Sequence, residues 1–289
     1  MRHCIIVPVY KSFSLLTQLE LISLKQLFKI LGGHKIIYIG PPSLDYSSYL
    51  NVEFEHSQKL TNKTFDESNF SGTSGYNKLL ISDHFLDTFK KYTFILIYQL
   101  DCFVFRDELD YWCDEDYDYI GAQWTGMVIY KGIPLVGVGN GGFSLRKVKS
   151  MSALLRKLKY LEILQKYQSF NWKGILPRLP KLLEQLMFSK KLVSDFPNNY
   201  SFQEDVFWSK DAPMQLRDFK GNSLIINTLE KFLVRSRFRI APVEKSLQFS
   251  IETNPKELFY LNKRKLPFGC HAWEKYDPEF WKEFIPAIN

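Results

Sequence analysis

No stretch of this 289-residue sequence stays apolar long enough to cross a bilayer, and it holds no internal repeat and no low-complexity tract. Any membrane contact is therefore expected to be peripheral. Cysteine is scarce as well. Cys4, Cys102, Cys113 and Cys270 never fall at C-x-x-C spacing, which argues against a zinc site or a disulfide framework and for buried free thiols in a reducing compartment. The apolar run after Met1 is too short for a signal peptide and lacks a small-residue cleavage site, so the expected location is cytoplasmic. Acidic residues are nearly missing from one segment. Between Lys147 and Lys191 there are eleven Lys and Arg against Glu162 and Glu184, so the formal charge of +7 is concentrated there. What the chain does have is 45% apolar and 16% aromatic residues, enough for a sizeable core in one large domain or two small ones.

The stretch Ile95-Leu-Ile-Tyr-Gln-Leu-Asp101-Cys-Phe-Val-Phe105 reads as a buried strand that meets a carboxylate. In an open α/β sheet ligands collect beyond the carboxyl ends of the strands, where an Asp can meet a metal or a sugar hydroxyl. Asp101 equally suits a cap for the helix starting near Glu108. Upstream, Cys4–Tyr10 predicts a first strand, Phe13–Leu31 a helix stopped by Gly32-Gly33, and Lys35–Gly40 a second strand. This order implies a right-handed crossover and a parallel sheet. Further on, the pattern predicts a helix over 74–89, a strand at 117–122, a hairpin through Gly132 and Pro134, and helices over 147–167 and 176–192. Another helix opens at Gln203, and one runs from Leu224 to Leu233. Two carboxylates, Glu204 and Asp205, stand in the first turn of the helix at Gln203, where the helix dipole favours them. The four glycines of Gly137–Gly142 mark a tight turn or a close backbone approach.

Four signals follow one another in fixed order: Leu100-Asp101-Cys102-Phe103, Gly139-Asn140-Gly141-Gly142-Phe-Ser-Leu145, Gln203-Glu204-Asp205 and Cys270-His271-Ala-Trp273. In that order they resemble the shared core of GT-A glycosyltransferases, with its Asp-x-Asp metal motif, glycine-rich loop, x-Glu-Asp motif and C-terminal histidine. The wording of these segments is also similar to a glycosyltransferase-like family, domain of unknown function 5672. The resemblance implies a GT-A (Rossmann-like) α/β fold, with a mixed, mostly parallel sheet flanked by helices. It would be a single domain over 1–289 carrying a basic helical insertion at 147–200. It further implies transfer of a sugar from a nucleotide-diphosphate sugar, UDP-sugar by default, to a glycan, a lipid-linked or another acceptor hydroxyl. A divalent ion, Mn²⁺ or Mg²⁺, would be bound by Asp101 and His271. Phe103 stands where one alignment expects the second Asp; the other alignment makes Gln99 the first member and Asp101 the metal-binding one.

By the same resemblance Asp205, with Glu204 as substitute, would be the general base of an inverting reaction. Pro8, Val9, Tyr10, Asn77, Lys78, Gln99 and Asp101 would face the nucleotide. Gly139, Asn140, Gly141 and Gly142 would meet the sugar or acceptor, and Arg146 would be a structural or phosphate-pairing cation. His271 could instead be a hydrogen-bonded core residue beside Trp273. The leucine stripe and lysines of 147–191 fit an amphipathic helix on an anionic membrane, a groove for a polyanion such as DNA, or a charged face over an ordinary core. Two alternatives stand beside the enzyme: a catalytically inactive module binding a polyanion or a membrane, and a DNA-modifying glycosyltransferase.

Overall fold

A computed structural model describes residues 1–52, 60–130, 133–188, 195–235 and 237–285. Its strands are β1 (His3–Pro8), β2 (Ile36–Gly40), β3 (Thr61–Thr64), β4 (Phe94–Tyr98), β5 (Cys102–Val104) and β6 (Tyr119–Ile120). There follow β7 (Gln123–Tyr130), β8 (Ile133–Val138), β9 (Phe143–Lys147), β10 (Ser250–Ile251) and β11 (Gly269–His271). The protein is mixed α/β with a mostly parallel central sheet flanked by helices, in the order β3-β2-β1-β4-β9-β6. The neighbours from β3 to β4 run parallel, and β9 is antiparallel to both β4 and β6. Strand β1 thus has β2 on one side and β4 on the other, which makes it a topological switch point. A second sheet, β10-β11-β5, and the hairpin β7-β8 complete the strands.

The described chain divides into two compact units. The first comprises Met1–Tyr76, Lys91–Val148 and Arg239–Asn289 and contains all the strands; the second comprises Asn77–Lys90 and Lys149–Phe238 and is helical. The second unit is larger than the expected 147–200 insertion, because the segment 77–90 and the chain to Phe238 belong to it.

Local sequence explains most element boundaries. The predicted Phe13–Leu31 helix is a single turn at Phe13–Leu15 followed by a helix at Gln18–Leu31. Thr17 restarts it with a capping box: Thr17 N–H donates to Glu20 Oε2 at 2.7 Å, and Glu20 N–H to Thr17 Oγ1 at 3.2 Å. The predicted 74–89 helix splits into Thr73–Leu80 and Asp83–Thr88, since Ser82 Oγ accepts from Phe85 N–H and caps a new helix. The long strand expected at Ile95–Phe105 is two strands, β4 and β5, which belong to different sheets. Gln99-Leu100-Asp101 forms the bend between them. Every residue of β4 is buried, as a strand covered on both faces requires. All four cysteines are buried free thiols.

In the second unit, Met151, Leu154, Leu155, Leu158, Leu161 and Leu164 of the Val148–Tyr167 helix are all buried. That leucine stripe is core and is not free to rest on a membrane. Lys159 is buried with it and pairs with Asp83 Oδ2 at 2.5 Å. The helix expected over 176–192 runs from Leu179 to Met187, and residues 189–194 lie outside the described residues. Among the described residues no helix is long and apolar enough to cross a membrane.

At the amino end of β1, His3 Nε2 and His34 Nδ1 share one proton across 2.8 Å, and His34 Nε2 lies 2.9 Å from Asp107. Burial, then the neighbouring His34, pushes the His3 imidazole below its ordinary range. A base depressed in the folded state binds fewer protons than in the unfolded chain. Stability is therefore complete above the ordinary histidine pKa and declines as pH falls through it. The urea midpoint should drop between neutral and mildly acidic pH, and His3→Gln should flatten that drop; an unchanged slope in the variant would disprove the assignment.

Candidate active site

The site lies where the switch point places it. A cleft of about 450 Å³ opens beyond the carboxyl ends of β1 and β4, lined by Pro8, Val9 and Tyr10 from one and Gln99, Leu100 and Asp101 from the other. Thr73 and Tyr76 contribute from the Thr73–Leu80 helix. Lys11, Glu20 and Glu274 add charge, with Lys11 Nζ 2.7 Å from Glu20 Oε2. Burial and the neighbouring Asp101 carboxylate raise the Glu274 carboxyl above its usual range.

Beside the cleft the second sheet delivers a histidine. Antiparallel pairing sets His271 opposite Cys102 and Cys270 opposite Phe103, so the tip of β11 reaches the bend that carries Asp101. His271 Nε2 lies 3.2 Å from Asp101 Oδ1 and 3.3 Å from Gln99 Oε1. On the other side of the ring, His271 Nδ1 is 3.0 Å from Glu252 Oε1, just past the end of β10. Burial alone would depress this imidazole. The Asp101 and Glu252 carboxylates override it and hold its pKa up at about 10. For Asp101, burial acts upward, but His271 outweighs it and the carboxyl sits below its ordinary range.

The glycine loop packs beside this cluster. A Cβ on Gly142 would lie 2.1 Å from His271 Nε2, so the backbone passes against the imidazole where only glycine fits. The Gly142 carbonyl accepts from Gln99 N–H at 3.0 Å and from the Cys102 thiol at 3.2 Å. Asn140, at a left-handed φ of 71°, turns inward and is 2% exposed. Its Oδ1 accepts from Gly142 N–H at 2.8 Å and Phe143 N–H at 3.2 Å, so it shapes the loop. Gly139 lies against the Trp124 ring, and the Gly141 carbonyl accepts from the buried Arg146 guanidinium at 3.2 Å. Arg146 is thus a structural cation.

The donor set suits a hard divalent ion. Asp101 Oδ1 is buried and faces the His271 imidazole at 3.2 Å. Gln99 Oε1 lies 3.3 Å from the same imidazole nitrogen, and cis ligands of an octahedral ion with bonds of about 2.1 Å lie roughly 3 Å apart. Cys102 Sγ also falls within 4.8 Å of the Asp101 and His271 ligand atoms. Burial pushes its thiol well above the ordinary range, and it donates to the Gly142 carbonyl. Of the two motif alignments, Phe103 packs edge-on against Trp273 while Gln99 reaches the imidazole.

The remaining predicted residues lie in the second unit. Asn77 Nδ2 donates to Phe202 O at 3.4 Å, and Lys78 is exposed. Glu204 and Asp205 are 3% and 6% exposed, with Asp205 Oδ1 accepting from Val206 N–H at 2.8 Å. A π-type turn, Phe207–Asp211, follows at once, a widening often found at functional sites. Sequence reasoning missed Glu252 and Glu274. Glu252 had a usable signal: Phe249-Ser-Ile-Glu252 is an apolar strand ending in an acid, the same pattern that singled out Asp101.

Among solved structures the chain is similar to the glycosyltransferase GlyE of Streptococcus pneumoniae TIGR4, at 13% identity and a TM-score of 0.44, over 98% of this chain and 60% of that one. It is also similar to the galactosyltransferase LgtC in complex with donor and acceptor sugar analogs, at 9% identity and a TM-score of 0.44, over 98% and 95%. At those scores neither likeness carries an argument about activity. No curated protein matches the chain. A family profile described as "Protein of unknown function (DUF5672)" matches residues 59–271, well over half of the sequence, from before β4 to His271 itself. The chain belongs to that family.

Proposed function

We propose that this protein is a GT-A-type glycosyltransferase that takes a nucleotide-diphosphate sugar, UDP-sugar foremost, and passes the sugar to a glycan or lipid-linked hydroxyl. One observation carries the reading: Asp101 and Gln99 line the cleft at the switch point, and the His271 imidazole meets both of them. Asp101, Glu20 and Glu274 give this cleft more negative than positive charge. A diphosphate fits there only with a cation between. A Mn²⁺ or Mg²⁺ ion held by Asp101 and His271 would offset the charge developing on the leaving diphosphate. Glu252 keeps the imidazole turned so that Nε2 faces Asp101. Tyr10, Phe70 and Tyr76 offer aromatic surface for the base. In this reading Asp205, with Glu204 as substitute, removes the acceptor proton in an inverting transfer, a contribution of roughly a hundred- to ten-thousandfold.

Calorimetric titration of UDP and a panel of UDP-sugars, with and without Mn²⁺, tests the reading. His271 carries a proton below its raised pKa of about 10, so ion binding near neutral pH has to displace it. The expected signature is release of about one proton per Mn²⁺, seen as an enthalpy that varies with the buffer's ionisation enthalpy. No binding and no donor hydrolysis across the panel would remove the proposal.

A second reading rests on the same imidazole. An imidazolium between two carboxylates is already neutralised, as a catalytically inactive module binding a polyanion or membrane would need. That module would bind heparin or anionic vesicles and ignore both Mn²⁺ and UDP.

A further inference from the structure

A second groove, of about 750 Å³, runs between the Pro255–Leu261 helix and the Lys275–Asp277 loop. Both walls grow directly out of the candidate active site. Asn254 follows Glu252 by two residues and Lys275 follows His271 by four, so the segments that leave the imidazole and its carboxylate partner become the two sides of the groove. The chain also alternates between the cavities: Glu274 lines the cleft at the switch point, and the next residue, Lys275, lines this groove. Lys275 is close enough to Asp101 to help hold its carboxyl ionised. Consecutive residues of one segment thus line the cleft and the groove.

The lining is amphipathic in a way that selects its occupant. Tyr260 is 52% exposed, and Tyr276 is a second aromatic side chain on the groove. The Arg264 guanidinium lies 5.1 Å over the Tyr260 ring, and the Lys275 ammonium 4.9 Å over the Tyr276 ring; both rings are steadied by cations. Around them Lys256, Lys275 and Arg264 stand against Glu257 and Asp277. With two carboxylates set among the cations, a polyanion gains little net attraction there. Aromatic faces flanked by carboxylates and ammonium groups instead match a pyranose, which has apolar C–H faces and a rim of hydroxyls that both donate and accept.

We propose that this groove binds the acceptor as an uncharged saccharide, with a sugar ring laid on Tyr260 or Tyr276. The inference rests on the glycosyltransferase reading and specifies its acceptor class and subsite. The probes are methyl glycosides of glucose, galactose, mannose and their N-acetylamino counterparts, observed by saturation-transfer NMR with and without UDP and Mn²⁺. At least one should receive saturation from the unaltered protein. Tyr260→Ala and Tyr276→Ala, each checked for an unchanged thermal midpoint, should weaken that signal at least fivefold, and Glu257→Gln should weaken it less. UDP affinity, measured in parallel, separates the two claims. If UDP and Mn²⁺ bind but no glycoside does, or if the tyrosine and Glu257 variants all bind it as before, the groove is not the acceptor site. If UDP itself fails to bind, the glycosyltransferase reading falls first.

Discussion

Replacing Gly142 with Ala is expected to leave a folded protein whose proposed divalent-ion site has come apart. The added methyl would lie 2.1 Å from His271 Nε2 and 2.3 Å from Cδ2, distances no pair of heavy atoms tolerates. The loop backbone has little freedom to retreat. Its carbonyl is engaged by Gln99 N–H and the Cys102 thiol, and its N–H by Asn140 Oδ1. The imidazole, at the free end of a side chain, is what moves. A displacement of about 1 Å at a catalytic centre costs on the order of a hundredfold, while overpacking of this kind destabilises by about 1–3 kcal/mol. Mn²⁺ affinity and any donor turnover should therefore fall far more than the thermal midpoint. Gly33→Ala is the control, because nothing lies within 4 Å of a Cβ built there. Equal Mn²⁺ affinity in Gly142→Ala and Gly33→Ala would show that the imidazole is no ligand.

Asp101→Ala should abolish Mn²⁺-dependent UDP binding outright. Asp101 supplies the buried carboxylate oxygen beside the imidazole, and together with Glu252 it keeps that imidazole charged. With it removed, the cleft loses the oxygen ligand on which the proposed ion capture depends. A metal's contribution of several kcal/mol to charge stabilisation corresponds to a loss of roughly a hundred- to ten-thousandfold in turnover. The imidazole should also titrate lower, since one of its two carboxylate partners is gone. Its C–H resonances, followed by NMR against pH, would read this directly in the ion-free protein. An unshifted His271 titration together with undiminished UDP–Mn²⁺ affinity would overturn the assignment.

Much of the site could be read before any coordinates. Asp101 stood out as an acid after an apolar strand, and His271 because it closed an ordered series of motifs; the two side chains meet at 3.2 Å. The glycine run pointed to a close backbone approach, and Gly142 makes one. What stayed hidden were partnerships across long sequence separations. Gln99 and His271 are 172 residues apart, and His271 meets Glu252 only because β10 and β11 pair in one register. The direction of Asn140 was equally hidden. An exposed-looking polar residue in a glycine loop turns inward once its amide can cap the loop's own N–H groups.

By itself the sequence determined what depends on near neighbours: the capping box at Thr17, the cap at Ser82, the apolarity of β1 and β4, and hence a parallel α/β sheet with a carboxylate beyond a strand. Only the tertiary structure decided which faces are covered. The leucine stripe after Lys147 has the same periodicity whether it meets lipid or protein, since a helix pattern records that a face is apolar and not what lies against it. The charge on His271 was likewise out of reach of the sequence. An imidazole's pKa follows from burial and the carboxylates within a few ångströms, and those are brought together by strand register between distant segments.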